Sequence, residues 1–219
     1  MSHSLSRATN RRPLRALATS KLRPKHRRRQ LLFESLEDRR VLAAFVEAGA
    51  ALNLTLNTFN ENVGIVSNGT SYTLTASNNW VGTDSANVTG NGTPNTLTVT
   101  AATVSAINIV DTALDTSVTF NNSTGSYIDP FAITLDNATV GPAIAFSGAT
   151  TFGGVSTLTA STTNSILVNT GASVTMGTGA LSLTTTTAGS ITFNGAVTSG
   201  GAVNVNTGAG AGDVLFSNP

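Results

Sequence analysis

The chain has 219 residues and a formal charge of +1, but all 12 of its Lys and Arg lie between Arg7 and Arg40. Residues 1–40 carry a net +9, whereas residues 41–219 hold eight acids and neither a cation nor a histidine. With no Cys anywhere, and no Lys, Arg or His in the body, there is no disulfide framework, thiolate metal site, catalytic triad, Schiff-base lysine or cationic phosphate clamp.

Residues 1–30 alternate basic clusters with single apolar residues, as in Lys21-Leu22-Arg23-Pro24-Lys25 and His26-Arg27-Arg28-Arg29-Gln30. Repulsion among so many cations, with little apolar area to bury, predicts an extended leader. It contains no aromatic residue for base stacking, and an acidic body repels a polyanion, so nucleic acid is not the expected partner.

The next stretch reads Leu31-Leu32-Phe33-Glu34-Ser35-Leu36-Glu37-Asp38-Arg39-Arg40-Val41-Leu42-Ala43-Ala44. Physically it is a short amphipathic turn or two ending in small residues. A secretory signal would place about 7–15 apolar residues after the charges, and this stretch does not. No run approaches the roughly 18 apolar residues of a membrane span.

This stretch resembles the LEPR-XLL segment at the N-terminus of large planctomycete surface and secreted proteins. The likeness rests on Phe33, Glu34, Leu36, Glu37, Arg39, Arg40 and Leu42, with Asp38 where the pattern has Pro and Val41 where it has Leu. It covers residues 27–44 and implies an export or sorting address, read by export machinery and removed near Ala43 and Ala44. It implies no chemistry.

From Ala44 onward the chain is rich in Thr (34 in residues 41–219) and Asn (20), which favour pleated surfaces and turns over helices. Alternation with period two recurs in short windows, among them Leu52–Asn57, Thr96–Thr100, Ala106–Ile109, Ser117–Asn121, Ala132–Asp136, Ser190–Asn194 and Ala202–Asn206. The expected body is all-β. Ile133, Ile144, Val155 and Ile166 follow at intervals of 11, and Ile107 to Val118 and Val203 to Val214 repeat that step.

Such spacing suits a β-sandwich or a β-solenoid with coils of about 20–33 residues. The solenoid is preferred because the strands are short and evenly spaced, and because aromatics make up only 5% of the chain. A wide sandwich core would be hard to fill with such residues, whereas a thin coil needs one to three small apolar side chains per strand. Asn and Thr can also form ladders between coils, and low charge avoids repulsion between strands stacked at about 4.8 Å. The later part further resembles the strand-repeat regions of autotransporter and haemagglutinin-like surface proteins.

The expected organisation is a basic leader over 1–44, an irregular β region serving as cap or first coils over 45–128, and solenoid repeats over 129–219. No polar terminal cap is visible near Pro219, so the chain is read as continuing further or meeting a partner there.

Only carboxylates remain as candidate catalysts. Asp111 and Asp115 follow one strand, Asp129 precedes Pro130, and Asp136 follows another strand. Two carboxylates about 5–9.5 Å apart could hydrolyse a glycosidic bond, but Asp beside Pro, Asn or Thr ordinarily shapes turns. No catalytic, cofactor or metal residue is therefore assigned. Asp111–Asp115 lacks EF-hand spacing, and Gly208–Asp213 reads as a flexible corner rather than a calcium loop. The Thr-x-Thr pairs, such as Thr73/Thr75 and Thr184/Thr186, are too unevenly spaced for an ice-binding lattice.

The reading is a non-enzymatic, exported surface or extracellular structural and adhesin-like protein. Its expected partners are surface polysaccharide or other envelope proteins. The alternative is the N-terminal part of a carbohydrate-active β-helix enzyme.

Overall fold

The computed structural model describes residues 43–92, 95–136, 141–154 and 156–217, and every element in them is a strand. The sorting-motif residues Phe33 to Leu42, and Val155 of the 11-residue series, lie outside the described residues.

The N-terminal strands are β1 (Ala43–Ala48), β2 (Ala51–Leu56), β3 (Asn62–Ser67), β4 (Ser71–Ala76), β5 (Trp80–Gly82), β6 (Val88–Thr89) and β7 (Thr96–Thr100). Then come β8 (Ala106–Asp111), β9 (Ser117–Phe120), β10 (Phe131–Leu135), β11 (Pro142–Phe146), β12 (Ala149–Phe152) and β13 (Leu158–Thr162). The last are β14 (Ser165–Val168), β15 (Ser173–Met176), β16 (Leu181–Thr185), β17 (Ile191–Phe193), β18 (Ala196–Ser199), β19 (Val203–Asn206) and β20 (Val214–Phe216).

They form a β-solenoid. Sheet A stacks β2, β8, β10, β13, β16 and β19 in parallel, and sheet B stacks β3, β9, β11, β14, β17 and β20 in the same way. A third wall, sheet C, holds β12, β15 and β18. From β10 onward one coil is three strands, and the register steps from Phe131 to Leu158, Leu181 and Val203, roughly 22–27 residues per coil. The 11-residue step is thus the passage from sheet A to sheet B, as from Ile133 to Ile144. Ile144 to Ile166 is instead a whole coil, since these two pair within sheet B.

Alternation decides what fills the coil. Leu54, Ile109, Ile133, Ala160 and Leu183 form one inward column of sheet A, all fully or almost fully buried. Ile65, Phe120, Phe146, Val168 and Phe193 form an inward column of sheet B. Because equivalent positions stack, Phe120 lies flat on Phe146, with centroids 5.1 Å apart and planes at 8°.

The N-terminal end is built differently. Gly49 takes a left-handed φ of 65° in the turn between Ala48 and Ala51, so β1 folds back antiparallel on β2. Asn68 Oδ1 accepts the N–H groups of Thr70 and Ser71 at 2.9 and 2.8 Å, closing the β3–β4 hairpin. β7 and β6 extend sheet B antiparallel beyond β4, and the three-residue β5 pairs with β1 at the margin of sheet A. Short antiparallel strands end the stack and leave little open edge for another chain to extend. At the other end the inward positions Val203, Val214 and Phe216 are exposed.

Candidate functional site

Ala43 and Ala44 open β1. Ala43 is fully buried and pairs with Trp80, and Ala44 pairs with both Thr55 and Val81. Both positions are therefore built into the sheet.

Of the four aspartates singled out from the sequence, Asp111 and Asp129 use their carboxylates as hydrogen-bond acceptors that tie segments together. Asp111 Oδ2 accepts the Thr116 hydroxyl at 2.8 Å and Oδ1 accepts the Asp136 N–H at 2.8 Å, so Asp111 joins the corners of two successive coils. Asp136 in turn offers its backbone carbonyl to the Thr163 hydroxyl at 3.0 Å. Asp115 holds a left-handed φ of 59° in the turn before β9. Asp129 is buried on the far side of β10, where Oδ2 accepts the Tyr72 hydroxyl at 2.7 Å and the Ala102 N–H at 2.9 Å. Asp111 and Asp136 are brought together, but one carboxylate grips the other residue's backbone. Among the described residues no group of three or more His, Cys, Asp or Glu side chains converges as a metal site would require.

A cleft of about 340 Å³ lies beside the β1–β5 edge, lined by Phe45, Val46, Glu47, Thr83, Asp84 and Ser85. Hydrogen bonds from Ser85 and Asn87 hold the Glu47 carboxyl below the usual carboxylate range. Asp84 Oδ1 accepts the N–H groups of Gly90 and Asn91 at 2.9 and 2.7 Å. Both acids shape the 83–91 loop, which periodicity could not reveal because their partners are loop residues.

The outer face of sheet A is an ordered array open to solvent. Its register builds one column of Asn53, Asn108, Ala132, Thr159, Ser182 and Asn204, beside another of Thr55, Val110, Thr134, Ser161, Thr184 and Asn206. All twelve side chains are exposed or half-buried, and none is charged. Asn108 Nδ2 donates to Asn53 Oδ1 at 2.9 Å, and Asn204 Nδ2 to Ser182 Oγ at 3.4 Å. The Thr-x-Thr pairs do not line up across coils. Thr73 and Thr75 sit opposite Thr98 and Thr96 in the antiparallel part of sheet B, while Thr159 and Thr184 fall in different columns of sheet A.

A family model described as "Planctomycete extracellular" matches residues 27–46. This segment is similar to a planctomycete extracellular family. The match runs from the basic cluster through the motif into β1, ending beside Val46, and it points to an extracellular location. No curated protein and no solved structure matches the chain.

Proposed function

We propose that the chain is a non-enzymatic, adhesin-like scaffold protein that is exported and works outside the cell. Residues 27–44 act as a LEPR-XLL-type sorting address read by export machinery, and the solenoid holds a polar face toward surface polysaccharide or other envelope proteins.

The observation behind this reading is the paired outer columns of sheet A: uncharged side chains, ten of the twelve bearing an amide or hydroxyl and interrupted by Ala132 and Val110, repeated at strand spacing on stacked ladders. Each contact to a sugar hydroxyl or envelope amide is weak. Repetition along a rigid wall turns many weak contacts into useful avidity through high effective concentration. The similarity to an extracellular family supports the location, and the employment of the aspartates as corner acceptors supports the absence of hydrolysis.

The test is expression of the full chain, and of a form lacking residues 1–42, in a planctomycete host with fractionation of the cells. Recovery of the full chain outside the cell, the shortened form remaining inside, is the expected result. Equal distribution of both would end the sorting reading. Release of reducing sugar from envelope polysaccharide by the purified protein would replace the scaffold with an enzyme.

A further inference from the structure

The corner between β2 and β3, residues 57–61, contains a buried carboxyl group with no cation beside it among the described residues. Glu61 is fully buried. Its Oε2 accepts the N–H groups of Asn57 and Thr58 at 3.2 and 3.4 Å, which folds the side chain back over its own turn. Its Oε1 accepts no close hydrogen bond, with the Asn78 side chain the one further donor near the carboxyl, and the buried Oδ1 of Asn57 in the same corner has no partner. Buried acceptors left without a close donor are costly. One proton on Oε1 would satisfy both, because a protonated carboxyl is a donor.

We propose that Glu61 is held as a neutral carboxylic acid whose Oε1–H donates to Asn57 Oδ1, making this corner a proton-closed latch on the first coil of the solenoid. The surroundings favour the neutral form. No Lys, Arg or His occurs after residue 40. The corner stacked upon this one carries Asp111, which pairs with Leu56, and Asp115, which follows the Leu114 carbonyl that accepts the Asn60 N–H at 3.2 Å. Both are acids and bring no cation to the corner. On the other flank Ser77, Asn78 and Asn79 offer no charge. Burial raises the Glu61 pKa and outweighs the opposing hydrogen bonds from Thr58, Asn57 and Asn78.

The latch controls more than its own turn. Ser117 N–H donates to the Glu61 carbonyl at 2.8 Å, and Thr112 N–H donates to the Leu56 carbonyl at 2.8 Å, so the corner positions the start of β9 and the end of β8. A group whose folded pKa lies above its unfolded value contributes stability that is complete below the unfolded pKa. That stability is lost as pH rises through the folded pKa. Ionisation therefore loosens the junction between the N-terminal strands and the coils.

The test compares the full-length chain with Glu61→Gln, whose side-chain N–H replaces the proposed O–H at every pH. Melting temperatures should coincide at pH 4 and diverge as pH rises to 8, with the variant about 2–4 °C above the native chain. A 13C NMR titration of the native protein should show one glutamate carboxyl that protonates well above the others, which keeps the proposal testable even if the variant does not fold. Three results would overturn it: a Glu61 carboxyl fully ionised at pH 5, a variant less stable at neutral pH with the gap closing on acidification, or stabilisation at pH 8 by millimolar calcium in the native chain alone. The last would mean that the two free oxygens hold a cation.

Discussion

The Tyr72 hydroxyl donates to Asp129 Oδ2 at 2.7 Å while accepting the backbone N–H groups of Ile128 and Asp129 at 2.9 and 3.0 Å. One phenol thus ties β4 to the segment leading into β10. The ring of Tyr72 stacks on Tyr127 at 5.5 Å and meets the edge of Phe131 at 5.6 Å. Six of the body's aromatic rings, Tyr72, Phe120, Tyr127, Phe131, Phe146 and Phe152, collect where antiparallel strands meet the parallel coils.

Tyr72→Phe keeps the ring and removes the hydroxyl, leaving the buried Asp129 N–H and the half-buried Ile128 N–H without that acceptor. A loss of about 2–4 kcal/mol is expected from urea unfolding, with the slope unchanged. A change under 0.5 kcal/mol would show that the network contributes little.

Alkaline pH should unfold the protein through its tyrosines. Burial and the Asp129 hydrogen bond raise Tyr72, and burial pushes Tyr127 up to about 12. Both folded values exceed the unfolded value near 10, so the stabilisation is complete below pH 10 and is lost as pH climbs through about 12. Absorbance at 295 nm should rise together with loss of β circular dichroism, because the chain has just these 2 tyrosines. Separate ionisation of either ring near pH 10 with the fold intact would contradict this.

Core and wall should respond unequally. Phe120 is fully buried and contacts Phe146, Tyr127, Phe131 and Phe152, so Phe120→Ala should cost about 3–5 kcal/mol. Thr134→Ala, on the outer face, should stay within about 0.5 kcal/mol. Chemical denaturation of the two variants checks the contrast.

Close approach of coils makes Gly179 irreplaceable. A Cβ there would overlap the backbone carbonyl oxygen of Ser156, which cannot swing aside as a side chain could. Gly179→Ala should lower stability by about 1–3 kcal/mol through a forced shift between neighbouring coils, measurable as a lowered melting temperature.

The place of β1 bears on leader removal. A form starting at Ala43 keeps every pair of that strand, whereas one starting at Phe45 loses the pairs of Ala43 with Trp80 and of Ala44 with Thr55 and Val81. The shorter form should melt lower. N-terminal sequencing of exported protein should therefore find a mature end at or before Ala43, and an end at Phe45 would show that processing cuts into the sheet.

Much of this architecture is legible in local sequence. Windows such as Thr96–Thr100 and Ser190–Asn194 alternate with period two, and each contains a strand with its apolar side inward, β7 over Thr96–Thr100 and β17 over Ile191–Phe193. The hairpins were less visible. Asn68-Gly69-Thr70 reads as a glycosylation sequon, although Asn-Gly between apolar runs is also a turn signal, and it closes the β3–β4 hairpin. Glu61 was hidden for another reason: nothing around an isolated glutamate between Asn60 and Asn62 announces burial, which comes from the fold of its own turn and the coil stacked on it.

Composition and periodicity by themselves determined that residues beyond the basic leader form short strands with one apolar side, because side-chain direction along a strand depends only on the pleat. They also determined that no Cys, Lys, Arg or His chemistry operates in the body, since the residues are not there. Tertiary structure alone decided which strands pair in parallel, that Asp111 grips the Asp136 backbone, and that Glu61 and Asn57 share a corner without a donor between them. The first two depend on register between segments some 25 to 55 residues apart, which is set by how whole coils fit upon one another, and the third on a local turn being buried under the next coil.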